Sequence, residues 1–251
     1  MAGKLAGRVA LITGASSGIG EATAHKLAEA GATIVLNGRR AERVHALAER
    51  IEAAGGKALA LPGDVSDTLV AARVIDDVFA SFDRLDILVN AAGVIQPGLI
   101  EDADVEVWHE VMEVNLFAAL NTCRAVIGRM RAQGGGDIVN ITSPAGRLAA
   151  GPFGPYTVSK FALNGMNELL RQQVGESGIR VCTLEPGATS TEVAEGIRDP
   201  AFRDGIRAYV GREGAMEPDD VARAILFIVS LPPRANVSLM LIRPTSEISI
   251  L

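Results

Sequence analysis

The chain has 251 residues, 30 of them acidic and 24 basic, for a net charge of -6. A hydrophobic share of 48% against 22% charged excludes a disordered chain, and the acidic balance argues against a nucleic-acid partner. No apolar run reaches the ~18 residues of a membrane span, and the start, Met1 to Val9, is too short and broken for a signal-peptide core.

Short β-branched runs alternate with longer helical stretches. Val9–Ile12 reads as a strand that ends in a Gly-rich turn. Helix is predicted over Glu21–Ala30, stopped by Gly31, and a second strand over Thr33–Leu36. Helix Glu42–Ala54, closed by Gly55-Gly56, leads to strand Ala58–Leu61. Helix Asp67–Phe82 leads to strand Ile87–Val89. A long helix over Val105–Met130 precedes strand Ile138–Ile141, and helix Tyr156–Val174 precedes strand Ile179–Leu184. Helix Pro218–Ser230 and strand Val237–Ile242 complete the pattern.

Strands apolar throughout and separated by helices are what a parallel sheet covered on both faces requires. The expected architecture is a doubly wound α/β fold with a seven-stranded parallel sheet, in one domain over residues 1–251. The longest stretch without pattern, Thr189–Gly214, follows the C-terminal end of a strand, where a lid over a ligand crevice is expected.

The two cysteines, Cys123 and Cys182, are far apart and form neither a metal spacing nor a disulfide framework. They read as buried thiols in a reducing, cytoplasmic compartment. His25, His45 and His109 are scattered on predicted helices without paired spacing, so no metal site is expected.

The first turn, Thr13-Gly14-Ala15-Ser16-Ser17-Gly18-Ile19-Gly20, leaves a strand and opens a helix. Gly14 suits a tight turn, Gly18 a close backbone approach to a pyrophosphate, and Gly20 the packing of helix on sheet. The helix N-terminus adds N–H donors and a positive dipole for phosphate charge. The spacing is G-x-x-x-G-x-G rather than G-x-G-x-x-G, and an ordinary glycine turn is the competing account.

This turn resembles the TGxxxGIG motif of the short-chain dehydrogenase/reductase family. Asn90-Ala91-Ala92-Gly93 resembles the family's NNAG motif, with Ala at its second position. Asn115, Ser143, Tyr156 and Lys160 resemble its catalytic tetrad, and Pro186-Gly187 with Thr191 its nicotinamide-side segment. The matches run in order from Thr13 to Thr191. The resemblance implies a Rossmann fold and an NADP(H)-dependent oxidoreductase that moves hydride between nicotinamide and a secondary alcohol or ketone.

The residues support that chemistry. Tyr156 and Lys160 are four apart, so on a helix they share one face. A Tyr has a pKa near 10 in water, and an ammonium within a few Å favours phenolate, so the Lys tunes the Tyr for proton transfer at an alcohol or carbonyl oxygen. A surface pair at this spacing is the bland alternative. Ser143 follows strand Ile138–Ile141 at its C-terminal end, where open α/β sheets build sites. The resemblance gives its hydroxyl the role of holding the substrate oxygen, with Thr142 as competitor. Asn115 is a poor helix-interior residue. The resemblance implies that its backbone carbonyl holds a relay water for Lys160; a buried Asn bonded to backbone is equally consistent with the residues alone.

Cofactor choice rests on Leu36-Asn37-Gly38-Arg39-Arg40. An NAD enzyme carries a carboxylate at the position that the family register gives to Gly38. Arg39 suits a 2′-phosphate, and a charge-assisted bond of about 1.5–3 kcal/mol favours NADP by roughly 10- to 150-fold. Ser16 or Ser17 adds a hydroxyl donor. Arg40 either stacks on adenine or begins a solvated helix. Asp64-Val65 resembles the pair that meets the adenine ring, with a turn or cap as the alternative. The resemblance implies that the Thr189 backbone and the Thr191 hydroxyl bond the nicotinamide carboxamide.

The substrate end is less legible. The tail Asn236–Glu247, with its IRPTS segment, resembles the 3-hydroxy-acid (serine-type) and clavulanate-dehydrogenase-like branch. Arg147 is a candidate for a substrate carboxylate, with a surface or interface Arg as the alternative, and Phe153, Leu148 and Met216 are candidate pocket walls. Small hydroxy acids or related polar carbonyls are the expected substrates. A 3-oxoacyl-thioester reductase, a dehydratase or epimerase using the same site, and a non-catalytic NADP-binding regulator are the alternatives. Apolar and small residues lie on several faces of the two long helices, Leu116, Phe117 and Leu120, then Phe161, Ala162 and Leu163; the resemblance implies that these helices pair between subunits in a homotetramer, or at least a dimer, with a monomer that uses both faces internally as the alternative.

Overall fold

Every residue of the first strand, β1 (Val9–Thr13), is buried, and its side chains alternate between two cores. The structure, a computed structural model, describes residues 3–149, 151–211 and 214–247. Met1, Ala2, and Arg212 and Glu213 of the expected lid lie outside the described residues. The other strands are β2 (Thr33–Leu36), β3 (Lys57–Ala60), β4 (Ile87–Asn90), β5 (Gly136–Ile141), β6 (Ile179–Pro186) and β7 (Leu239–Ile242). They form one parallel sheet in the order β3-β2-β1-β4-β5-β6-β7. This is the seven-stranded doubly wound sheet that the alternating pattern predicts.

The helices are α1 (Gly18–Glu29), α2 (Ala41–Ala53), α3 (Thr68–Phe82), α4 (Val105–Met112), α5 (Ala118–Ala132), α6 (Gly154–Val174), α7 (Pro200–Val210) and α8 (Pro218–Val229). One core joins Ala10, Ile12, Ile34 and Ile87 of the sheet to Leu27 of α1, Leu47 of α2 and Ile225 of α8. The other joins Leu11, Val35, Leu88 and Ile138 to Val74 of α3, Val126 of α5 and Leu170 of α6. Truncating one of the fully buried strand leucines costs about 2–5 kcal/mol. The alternation Leu11/Ile12 therefore specifies both layers at once. Cys123 and Cys182 are free and buried, and burial pushes each thiol up to about 12, which makes them inert.

Asp137, at the start of β5, ties the lower ends of the central strands together. It accepts from Arg8 before β1 and from Arg180 of β6, the latter at 2.9 Å. Arg8 also donates to the Val229 carbonyl at 2.7 Å, fixing the end of α8.

Three differences from the sequence expectation matter. The long helix over Val105–Met130 is interrupted by a π-helical segment, Glu113–Phe117, in which the Ala118 N–H bonds to the Glu113 carbonyl five residues back. The last strand begins at Leu239 rather than Val237. The stretch without pattern contains α7, capped by Asp199, whose carboxylate accepts from the Phe202 N–H at 2.7 Å. Among the described residues no helix is long and apolar enough to cross a membrane.

Candidate active site

The strand order reverses at β1, which has β2 on one side and β4 on the other. Chains leaving the C-terminal ends of β1 and β4 diverge there, which opens a crevice. A cavity of about 810 Å³ fills it, within the range of small-molecule and cofactor sites. It runs from Arg39 and Asp64 past Gly14, Gly18 and Gly93 to Ser143, Tyr156 and Lys160.

The glycine turn is shaped as a cradle. Gly14 has φ +66, and a Cβ there would lie 2.7 Å from the Ala92 nitrogen. Gly18 has φ +55, and a Cβ there would press on Thr191 at 3.2 Å. Both positions require glycine for conformation and for space. Ser17 precedes α1 without capping it by side chain; its hydroxyl accepts from Arg40 at 2.7 Å instead. Ser16, Ile19, Gly20, Ala91, Pro186, Gly187 and Thr189 also line the cavity. A glycine cradle at a helix N-terminus, continuous with a cationic corner, fits a dinucleotide with phosphate at both places.

At that corner, a side chain on Gly38 would crowd Val44 at 3.2 Å and Ser16 at 3.5 Å. Arg39 is more than half exposed and lies 3.9 Å from Asp64. Asp64 makes the turn that its sequence alternative describes, accepting from the Ser66 N–H at 3.0 Å and hydroxyl at 2.7 Å, yet it still lines the cavity, as does Val65. Arg40 folds back over the glycine turn, donating to the Ser16 hydroxyl at 2.9 Å and contacting Glu192 at 3.3 Å.

At the other end, α6 places Tyr156 and Lys160 on one face. The Lys160 Nζ lies 5.7 Å from the Tyr156 ring centre and donates to the Ile141 carbonyl at 3.0 Å. Burial lowers the Lys160 ammonium to about 8. Burial also raises the Tyr156 phenol, opposed by a hydrogen bond with Ser143. The sequence reading expects Lys160 to lower Tyr156. Here burial raises it, and Ser143 is the neighbour that offsets the rise. Ser143 opens a short 3-10 turn over Pro144–Gly146, its hydroxyl accepting from the Ala145 N–H at 3.2 Å. The Thr142 hydroxyl is instead used by the Leu184 carbonyl at 3.3 Å.

Asn115 lies inside the π-helical segment. Its side chain accepts from the Val94 N–H at 2.8 Å and donates to the Val94 carbonyl and the Ser159 hydroxyl, each at 2.9 Å. The buried-Asn account therefore describes its side chain, which leaves only its main-chain carbonyl for a water relay.

Four expected site residues are placed elsewhere. The Asn90 side chain is buried in the sheet, donating to Asn140 at 2.7 Å and accepting from Thr122 at 2.8 Å. Arg147 is away from the cavity wall. Its Nε is bound by both oxygens of the fully buried Glu185, at 2.8 and 2.6 Å, because a buried carboxylate demands a cation. Met216 packs into the first core, and its backbone pairs with Ala188 and Ser190 at 3.0 and 2.8 Å. Leu148 is exposed. Phe153 does line the cavity and stacks edge-on against Phe202, with ring centres 5.0 Å apart.

The sequence reading did not single out Val94, Ile95, Glu192, Ile206, Tyr209, Val210 or Glu247, all of which line the cavity. A signal existed for the α7 residues. Asp199-Pro200 is a helix start, and Phe202, Ile206 and Val210 recur every four residues.

A family model described as short chain dehydrogenase matches residues 8–201. A D-threitol dehydrogenase of Mycolicibacterium smegmatis is 35% identical over 227 residues, 90% of this chain and 87% of that protein. A glycine betaine reductase of Emericella nidulans is 33% identical over 98% of this chain, which spans only 19% of that protein's length. The crystal structure of a metagenomic short-chain oxidoreductase in complex with NADP matches with a TM-score of 0.82 and 33% identity, covering 96% of this chain and 99% of that one.

Proposed function

The chain belongs to the short chain dehydrogenase family of oxidoreductases, and on that premise we propose that it transfers hydride between NADP(H) and a neutral ketone or secondary alcohol. The observation that carries the reading is one continuous cavity, with Ser16, Arg39 and Arg40 at one end and Ser143, Tyr156 and Lys160 at the other. Bound there, the cofactor supplies or accepts the hydride.

The chain's residues handle the proton and the substrate oxygen. In reduction, Tyr156 donates its phenolic proton to the carbonyl oxygen. Burial keeps that phenol protonated at neutral pH, the state a donor needs. Ser143 donates a second hydrogen bond to the same oxygen and holds it against Tyr156. Lys160 binds the nicotinamide ribose and supplies positive charge when the phenol gives up its proton. The Asn115 main-chain carbonyl holds the water through which that proton is replaced. Thr189 and Thr191 orient the carboxamide, and the segment Thr189–Gly214 serves as the lid.

Apolar residues of this segment and its neighbours, Ile95, Phe153, Ile206 and Val210, wall the substrate end. With Arg147 bound to Glu185, they favour an uncharged carbonyl over a hydroxy acid. The NADP complex of the metagenomic relative supports the cofactor, and the threitol dehydrogenase relative adds polyols to the substrates worth testing. The inert thiols suit the cytoplasm. Exposed Phe117, Leu120 and Phe161 support assembly into a homotetramer, checked by light scattering on a sizing column.

The test is NADPH against NADH turnover over ketones, diketones, polyols, 3-oxo acids and acetoacetyl-CoA, with Tyr156→Phe beside the wild type. Loss of about 10²- to 10⁴-fold in kcat, with NADPH binding retained, is expected for the variant. NADPH binding without turnover on any of these substrates would favour a binding protein.

A further inference from the structure

The cationic corner is already in contact with an anion of the chain's own. Glu192 opens the 3-10 turn Glu192–Gly196, directly after Thr191. Its carboxylate lies 2.7 Å from the Arg43 guanidinium and 3.3 Å from that of Arg40. Arg40 in turn donates to the hydroxyls of Ser16 and Ser17. The Arg43 hydrogen bond, with help from Arg40, holds the Glu192 carboxyl below the usual carboxylate range, so it is ionised at neutral pH. A carboxylate reached across the mouth of the crevice thus neutralises the arginines beside the candidate phosphate site.

We propose that Glu192 is a cofactor-discriminating residue: its carboxylate competes with the cofactor's 2′-phosphate for the guanidinium groups of Arg40 and Arg43. The inference rests on reading the Ser16–Arg39–Arg40 corner as the 2′-phosphate site. A 2′-phosphate entering that corner meets a like charge in Glu192 and takes over its cations. A cofactor without the phosphate leaves the pairs intact. The contact is also a strap across the crevice. Glu195, in the same turn, binds Arg207 of α7 at 2.9 Å, and α7 carries Ile206, Tyr209 and Val210 on the cavity wall. Release of Glu192 by phosphate therefore frees the turn that leads to the substrate end.

All three groups are about half exposed. An exposed ion pair is worth up to about fivefold in an equilibrium. Losing both therefore gives an expected change of about three- to tenfold.

The test is the dissociation constant of NADPH, NADH, 2′,5′-ADP and 5′-AMP for the wild type and Glu192→Gln, with melting curves to confirm that the variant folds. Glu192→Gln should bind NADPH and 2′,5′-ADP about three- to tenfold more tightly. NADH and 5′-AMP should change less than about twofold. The difference should collapse near 1 M salt, where the screening length is about 3 Å. Equal tightening of all ligands would reduce Glu192 to a strap without discrimination and overturn the proposal. Weaker binding of the phosphate-bearing ligands would overturn it too, by showing that Glu192 holds the arginines in place for phosphate. No change would do the same. A wild type that prefers NADH would refute the NADP preference by itself, while the 2′,5′-ADP comparison would still decide the role of Glu192.

Discussion

Lys160 carries its ammonium into surroundings that leave it 4% exposed, and burial lowers it from 10.5 to about 8. Between those two values the unfolded chain binds a proton that the folded chain does not. Stability therefore rises with pH from about 8 to 10.5, and the full cost is present below that window. The shift corresponds to about 3 kcal/mol, and losing the bond to the Ile141 carbonyl would give back about 1 kcal/mol. Lys160→Met should then gain about 2 kcal/mol at pH 7 and raise Tm by roughly 4–8 °C. It should abolish turnover, and its stability gain should shrink as pH approaches 10. A melting series against pH checks this, and a Tm no higher than the wild type's at pH 7 would remove the assigned cost. The Tyr156–Lys160 pair was legible because helical spacing alone puts both on one face. Arg147 was not: its partner Glu185 lies on β6, and nothing local announces a buried carboxylate 38 positions away.

The elements were legible where one rule acts alone. The apolar runs of β1, β2 and β4 have no competing pattern, and the sheet follows from them. The π-helical segment was not legible, because its one extra residue per turn leaves the surrounding helical periodicity nearly intact on either side. Its cause is tertiary. Asn115 takes both the N–H and the carbonyl of Val94, on the loop after β4, and pins the helix to the crevice floor. Asn115→Ala would leave both backbone groups without their partner, at about 2–4 kcal/mol. Urea unfolding should show a lower midpoint with unchanged slope. A midpoint within error of the wild type would mean that the segment keeps its shape without this clamp. At the opposite end of the sheet, Asp137 has a parallel role. Asp137→Ala strands Arg8 and Arg180 and should cost about 3–5 kcal/mol by the same measurement, without altering the affinity for cofactor, since it lies at the far end of the strands.

Across the whole molecule, the chain beyond β7 returns to the crevice at Glu247. Glu247 accepts from the Ala188 N–H at 2.8 Å, a contact spanning 59 positions, and is held in turn by Arg243 at 3.9 Å. The tail thereby closes the wall at Pro186-Gly187, the segment proposed to face the nicotinamide. That closure explains why Gly187 is glycine at an ordinary φ: a Cβ there would lie 2.5 Å from the Glu247 Oε2. The neighbour is the far end of a side chain, but its hydrogen bond and ion pair restrict its retreat. Gly187→Ala should therefore push either the tail or the Ala188 segment aside, and a displacement near 1 Å at this wall lowers kcat by up to about 10²-fold. Adding Glu247→Ala removes the collision, so the double variant should recover part of the loss, and the two changes should be strongly non-additive. Steady-state kinetics on the two single variants and the double variant decides the matter. Additive losses would mean that the tail and the nicotinamide segment are independent, and that Gly187 is required for reasons confined to its own loop.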